Sequence, residues 1–436
     1  MTWLDAETAA FWRTEGKRYA QEINEYVRKG IETDWAEEMP EPQEDTRNTV
    51  ADQIVQMIRK ANAAGETARL REELPPATWP LTGAFEKKIQ AIREIVFLDN
   101  CTVAFTSGSA YEDGCVHVAG PEGIETYPSV RMIGVSPGGG VYALVDESGI
   151  RVTESLNERL EGKDRFRWTW DAIQDRIRAA AEGMETLGTA ERPVYAVDRV
   201  IPLAGSEAVL LIGAWGVYRV EHESAELLHP TVEELKEMEM EDSRIDMQHG
   251  AVSPDERWAA FGNQGSNHHL LNLETGKAYE FYPISSYPHY SLFTEDGREA
   301  WFNACHFYNG STLRISLEEA VLPGAEQKED WPVAEDEARV YAAAAWDGGV
   351  LVGDAYGYLR RVRQDGEPEW RHFLGSTISG MAVSPDRRTL AVGTYGGMLH
   401  LLDLTSQEMD EYSIGTGTLR ETLRVVVWRG EKPMVW

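Results

Sequence analysis

Ala251-Val252-Ser253-Pro254-Asp255 leads into Arg257-Trp258-Ala259-Ala260-Phe261-Gly262 and runs on to Leu271-Asn272-Leu273-Glu274-Thr275-Gly276. The text is an apolar strand, a turn, a second apolar strand, a glycine-containing turn and a third strand. Proline pre-sets the backbone of such a turn, and glycine supplies positive φ where a hairpin requires it. The same grammar recurs at Ala382-Val383-Ser384-Pro385-Asp386 before Thr389-Leu390-Ala391-Val392-Gly393. It recurs again at Gly134-Val135-Ser136-Pro137-Gly138 before Val141-Tyr142-Ala143-Leu144-Val145.

Once this register is set, weaker copies emerge around Phe97, Ile201, Thr294, Ala345 and Val427. Together with Ser136, Ser253 and Ser384 they mark eight units. A repeat of roughly 40–45 residues with four strands per unit is the signature of a β-propeller. The expected fold is all-β: a propeller of eight four-stranded blades, with seven as the alternative, preceded by helices. The last unit stops at Trp436 after two strands. Segments Ala68–Leu74 and Thr78–Leu81 are therefore expected to supply its outer strands, so that both chain ends share one blade and no sheet edge stays open.

Three longer intervals carry insertions. Trp170 to Met184 reads as a helix with Ile173 and Ile177 on one face, within an insertion near 168–190. An acidic helix opens at Val232 after Thr231, in an insertion near 230–243. Leu317 to Pro332 reads as an exposed loop. Residues 1–65 form a separate helical segment and 66–436 the propeller. Asp5 to Lys29 presents an apolar stripe that includes Phe11, Trp12, Tyr19 and Ile23, and a second helix is expected from Thr49 to Ala64. Amphipathic stripes usually face a core, so packing on the ring is expected rather than a free partner-binding arm.

On the residues from Ile89 onward the chain resembles WD-repeat β-propellers, with the unit Ser384 to Leu404 the strongest. The Trp-Asp pair of that family is replaced by Leu402-Asp403 and Leu271-Asn272, and its Gly-His pair is absent. The resemblance implies a rigid disc that binds other macromolecules.

Composition bounds the function. Net charge is -31, from 42 basic and 73 acidic residues, and arginine outnumbers lysine 32 to 10. Such a field disfavours nucleic acid and anionic membrane surfaces, and it favours and steers basic partners. No run of about 18 apolar residues is present, so no membrane span is expected. Cys101, Cys115 and Cys305 lack metal-ligand spacing, and a cytoplasmic address is the expectation. No nucleophile elbow, Walker loop or zincin helix is found, and Gly138-Gly139-Gly140 lies in a strand–strand turn. No catalytic residue, metal ligand or cofactor is therefore assigned.

Two groups of side chains remain. His249, His268, His269, His289 and His306 cluster in two adjacent units, where a metal-dependent lyase or hydrolase would place ligands. Along a strand, however, His268 and His269 must point to opposite faces. The stronger pattern places an aromatic at the turn between the second and third strands: Trp215 before Gly216, Tyr356 before Gly357, Tyr395 before Gly396, and the cluster His306-Phe307-Tyr308. Equivalent turns of a propeller share one face. These six residues are the expected partner-binding surface of a non-catalytic module for a basic protein, in one version an inhibitor or immunity factor. A lyase or hydrolase and a scaffold subunit are the alternatives.

Overall fold

The Ser/Thr-x-Asp turn repeats as one piece of geometry. Ser253 Oγ donates to Asp255 Oδ1 at 2.6 Å and accepts from Trp258 N at 3.0 Å. Ser384 and Asp386, and Thr294 and Asp296, repeat the arrangement at 2.6 and 2.7 Å. The following residue is left-handed each time: Glu256 at φ 59°, Arg387 at 66° and Gly297 at 65°. Each hydroxyl thus pairs the backbone that the turn removes from the strand ladder.

These turns join the first two strands of the blades in a computed structural model that describes residues 2–108, 114–121, 123–335 and 337–436. Seven antiparallel sheets follow in chain order. Blade 1 holds β1 (Ile92–Phe97), β2 (Val103–Ser107), β3 (Cys115–Gly120) and β4 (Gly123–Tyr127), and blade 2 holds β5 (Val130–Val135), β6 (Val141–Asp146), β7 (Gly149–Glu154) and β8 (Lys163–Thr169). Blade 3 holds β9 (Val197–Leu203), β10 (Ala208–Gly213), β11 (Gly216–Glu221) and β12 (Ala225–His229), and blade 4 holds β13 (His249–Val252), β14 (Trp258–Gly262), β15 (His268–Asn272) and β16 (Ala278–Phe281). Blade 5 holds β17 (Tyr287–Phe293), β18 (Glu299–His306), β19 (Asn309–Ser316) and β20 (Val333–Glu335). Blade 6 holds β21 (Val340–Trp346), β22 (Gly349–Asp354), β23 (Tyr358–Arg363) and β24 (Pro368–Phe373). Blade 7 has five strands: β25 (Ile378–Val383), β26 (Thr389–Thr394), β27 (Met398–Asp403), β28 (Arg420–Val426) and β29 (Met434–Val435).

The ring therefore has seven blades, and the expectation of eight is corrected. The unit marked by Val427 is the end of blade 7, where β29 pairs with β28 through Val426↔Met434. A long connection before β28 spaces these two strands one repeat beyond Ser384, so they mimic a new unit. The segments expected to complete it are not strands. Thr67–Glu73 is a helix, and Trp79–Leu81 is a helical turn.

Closure is consequently not shared between chain ends. Blade 1 and blade 7 are each built from one continuous stretch, and the ring closes where β25 packs against β1. The approach there is very close. A Cβ added to Gly380 would lie 1.9 Å from the carbonyl oxygen of Arg93. Gly380→Ala should therefore destabilise the fold by about 1–3 kcal/mol through overpacking, measured by urea denaturation. An unchanged midpoint would contradict this account of closure.

Helices clasp the outer edge of blade 7. Helix α1 (Ala6–Glu32) starts at Asp5, whose side chain accepts from Thr8 N at 3.0 Å, and α2 (Ala51–Ala64) ends at the left-handed Gly65. With α3 (Thr67–Glu73), α4 (Thr82–Phe85) and shorter turns up to Lys88 they bury Trp12, Ile54, Ile58, Leu70 and Leu74 against Met398, Val426, Trp428 and Trp436. The buried face of α1 runs through Ala9, Trp12, Gly16 and Ala20, while Phe11 is left partly exposed. The side-chain amide of Asn62 pairs with both backbone groups of Val435, each at 2.8 Å, as a further strand would. This covers the edge that the ring leaves open.

Both insertions read as helices contain them: α5 (Trp170–Ala180), and α6 (Val232–Glu237) capped by Thr231. The stretch read as loop holds a short helix, Leu317–Ala320. Among the described residues, no helix is long and apolar enough to cross a membrane.

Candidate functional site: an aromatic crescent beside the central channel

In blades 3, 6 and 7 the turn between the second and third strands lies beside the start of the innermost strand. Ala214 N bonds to the Ala196 carbonyl, Ala355 N to that of Arg339 and Tyr395 N to that of Thr377. The expected aromatic turns thus share one face. Gly216 and Gly357, directly after their rings, hold φ at 113° and 89°, and in blade 7 the second glycine after Tyr395, Gly397, holds 73°, so each hairpin places glycine where it needs positive φ.

Blade 5 departs from that rule. His306 pairs with Asn309, leaving Phe307 and Tyr308 as a two-residue turn in which Phe307 itself takes φ 54°. Gly, Asn or Asp are the usual occupants of such a position. The Phe307 ring is 73% exposed, so no burial offsets the strain.

Around this turn the rings form a crescent over blades 5 and 6. Tyr308 lies 5.6 Å from Tyr356, whose hydroxyl reaches Asn309 at 3.4 Å. His306 stands 4.7 Å from Phe307, stacks with Tyr287 at 6.3 Å and shares a hydrogen bond with Ser286 at 3.2 Å. Arg339 donates to the Phe307 carbonyl at 3.0 Å, and its guanidinium lies 4.8 Å from the ring centre of Tyr341. Tyr341 in turn meets Tyr395 edge-on at 5.7 Å, extending the array to blade 7.

Trp215 stands apart. Its ring packs on the core of blades 2 and 3 under the Arg244 guanidinium, 4.3 Å away. Its carbonyl accepts from Tyr218 and Ser243 at 2.6 and 2.7 Å. The turn register does not reveal that the insertion after α6 folds back over this one ring. Conversely, Tyr282, Ile284 and Tyr287 are exposed near the crescent, on the connection into blade 5 and at the start of β17. Their signal was legible as an aromatic-rich loop at Tyr282 to Tyr287, since connections between blades emerge on the same face.

The channel beside the crescent is crossed by charge. Arg93 pairs with Asp198 at 3.2 Å, and Glu94 with Arg199 at 2.8 Å. These residues belong to β1 and β9, in blades that are not neighbours, so their side chains meet inside the ring. Arg199 also donates to the Gly250 carbonyl at 2.9 Å, and Gln248 donates to Asp198.

The histidines do not converge. His268 stacks on Phe302 at 4.8 Å, and both of its nitrogens are buried without a partner. His269 stacks on Phe261 and lies 4.4 Å from His229. His249 and His289 each use Nδ1 on a backbone carbonyl, at 3.1 and 2.7 Å, while His306 is on the crescent. Burial pushes His249 and His269 down to about 3 and His289 to about 4, so all three stay neutral at pH 7. Among the described residues, no group of three or more His, Cys, Asp or Glu side chains is arranged to hold a metal ion.

No family model matches the chain, and no curated protein matches it. Solved structures with a similar chain path include hydrazine synthase of Kuenenia stuttgartiensis (10% identity, TM-score 0.42, 62% of this chain and 76% of that one). KlHsv2 with loop 6CD replaced by a Gly-Ser linker aligns at 9% identity and TM-score 0.43, over 77% of this chain and 98% of that one. BamB from Moraxella catarrhalis aligns at 10% identity and TM-score 0.40, over 72% and 85%.

Proposed function

We propose that the protein is a non-catalytic, WD-repeat-like binding module whose aromatic crescent docks a basic protein partner, as an inhibitor or immunity factor would. The observation that carries this reading is Phe307, a large apolar ring held on strained backbone and left in water. Strain of this kind is kept where a function requires it. Tyr308 at 59% and Tyr356 at 50% exposure offer rigid rings beside it. Such rings are favoured interface anchors, and their faces attract arginine and lysine. The net charge of -31 would draw a cationic partner toward this disc.

A pull-down from native lysate would identify the partner. Phe307→Ala and Tyr356→Ala should then each weaken its binding by about 1–4 kcal/mol while leaving thermal stability nearly unchanged. Association should also slow steeply with added salt. Variants that bind normally, or an association rate indifferent to salt, would overturn the reading.

A further inference from the structure

We propose that the mouth of the central channel, under Tyr341 and Tyr395, is a second site, and that it binds a carboxylate carrying a hydrogen-bond donor on the adjacent carbon. Blades 5, 6 and 7 bring four polar side chains there. His289 and Tyr341 are the extra residues of bulges in β17 and β21, where the ladder skips from Pro288 to Tyr290 and from Val340 to Ala342. A bulge takes a side chain out of the strand's alternation and re-aims it. Arg339 immediately precedes β21, and Tyr395 comes from the turn after β26. All of them gather on one ring: Tyr341 has the His289 imidazole at 4.5 Å, the Arg339 guanidinium at 4.8 Å and the Tyr395 ring at 5.7 Å. Tyr395 leans over the channel itself, since its phenol feels the charges of Arg93 on β1, Arg339, and Asp198 on β9.

Three of these side chains keep an open hydrogen-bonding position. His289 Nδ1 lies 2.7 Å from the Val340 carbonyl. A carbonyl only accepts, so Nδ1 carries the proton and Nε2 is a bare acceptor. Burial holds His289 at about 4, so the ring stays neutral at pH 7, and its Nε2 is neither bonded nor buried. The Tyr341 hydroxyl likewise has no partner and is not buried. Burial of the ring pushes Tyr341 up to about 12, which keeps that hydroxyl a donor. Tyr395 is exposed, and its hydroxyl has no hydrogen bond either.

The fourth, Arg339, meets no acid. Its terminal nitrogens touch the Phe307 carbonyl at 3.0 Å and the Met247 sulfur at 3.9 Å, and among the described residues no carboxylate pairs with it. The other two arginines of the mouth are answered, Arg93 by Asp198 and Arg199 by Glu94. Glu337 and Asp246, the acids nearest to Arg339 and Met247 in the chain, both face solvent. A half-buried guanidinium without a counter-ion is costly. Each of its terminal nitrogens carries two N–H groups, so one on each remains for the two oxygens of a carboxylate. A ligand that matches the set gives that carboxylate to Arg339 and, from the next carbon, an O–H or N–H to His289 Nε2. The tyrosine rings and Met247 suit an apolar group on the same carbon.

Mandelate is a suitable probe, because phenylacetate lacks only its hydroxyl and mandelamide only its charge. Calorimetric titration of the full chain should show saturable one-site binding of mandelate, with mandelamide at least about tenfold weaker and phenylacetate about three- to tenfold weaker. Arg339→Gln should weaken mandelate at least about tenfold. His289→Phe should bring mandelate down to the affinity of phenylacetate and leave phenylacetate unchanged, which a general loss of structure would not do. Should either variant fail to fold, Tyr395→Phe, which removes one exposed hydroxyl and should cost about three- to fivefold, decides. N-acetylphenylglycine separates the sources of such a carboxylate: tighter binding than mandelate assigns a peptide end, weaker binding a free hydroxy acid, and either supports the site. No saturable binding of mandelate, equal binding of mandelamide or phenylacetate, or variants that bind like the parent would overturn the proposal. None of these outcomes needs a protein partner, so the docking reading stands or falls separately.

Discussion

Replacing Trp12 by alanine should lower stability by about 3–5 kcal/mol, a large share of what a single domain possesses. The ring is fully buried, 6.4 Å from the ring of Trp436 and under the Arg47 guanidinium at 4.9 Å. Its indole N–H donates to the Pro75 carbonyl at 2.9 Å. Truncation opens a cavity at the centre of the helix–blade contact, leaves Pro75 without that donor and loosens the cover on β29. Urea denaturation measures the loss, and increased binding of a hydrophobic dye would report the exposed seam. A change below about 1 kcal/mol would mean that the helices rest on the ring without contributing to its stability.

Acidification should act as strongly. His117 and His372 are held at about 4 by burial, as is His289, and His249 and His269 at about 3, and burial also holds His268 well below the usual imidazole range. An unfolded histidine titrates near 6.5, so below that pH the unfolded chain binds more protons than the native one. Stability from these groups is therefore complete above about pH 6.5 and falls as pH drops. At pH 5 the loss approaches about 2 kcal/mol for each imidazole. Six such groups together match the whole stability of a typical domain, so the protein should unfold cooperatively between about pH 5 and 6. His268→Leu should remove one proton from the uptake on unfolding and flatten the slope. Equal urea midpoints at pH 7.5 and 5 would show that these side chains protonate without unfolding the protein.

The propeller was legible because the Ser/Thr-x-Asp turn is local. Its hydroxyl, carboxylate and left-handed residue are all written within five positions. The blade number was not legible, because β28 and β29 satisfy the same local grammar as a fresh pair of strands. What distinguishes them is that β28 pairs with β27 and so joins blade 7, while a helix more than 300 residues earlier in the chain covers the outer edge of β29. The same division holds at the crescent. Tyr356, Tyr395 and the His306 to Tyr308 turn follow from strand register. Trp215 obeys that register too, yet Arg244 covers it from an insertion whose path depends on packing.

The helical clasp also imposes an order in time. Trp12, Ile54, Ile58 and Leu70 leave the ribosome more than 300 residues ahead of the surfaces that bury them, Met398, Val426, Trp428 and Trp436. At about 5–20 residues per second, the apolar face of the helices waits roughly 20–70 s for its counterpart. During that interval six blades can form in sequence, each from its own stretch of chain, while the clasp remains unfinished. Nascent chains of this protein should accordingly depend on holding factors through most of their synthesis, and release from them should coincide with completion of the seventh blade.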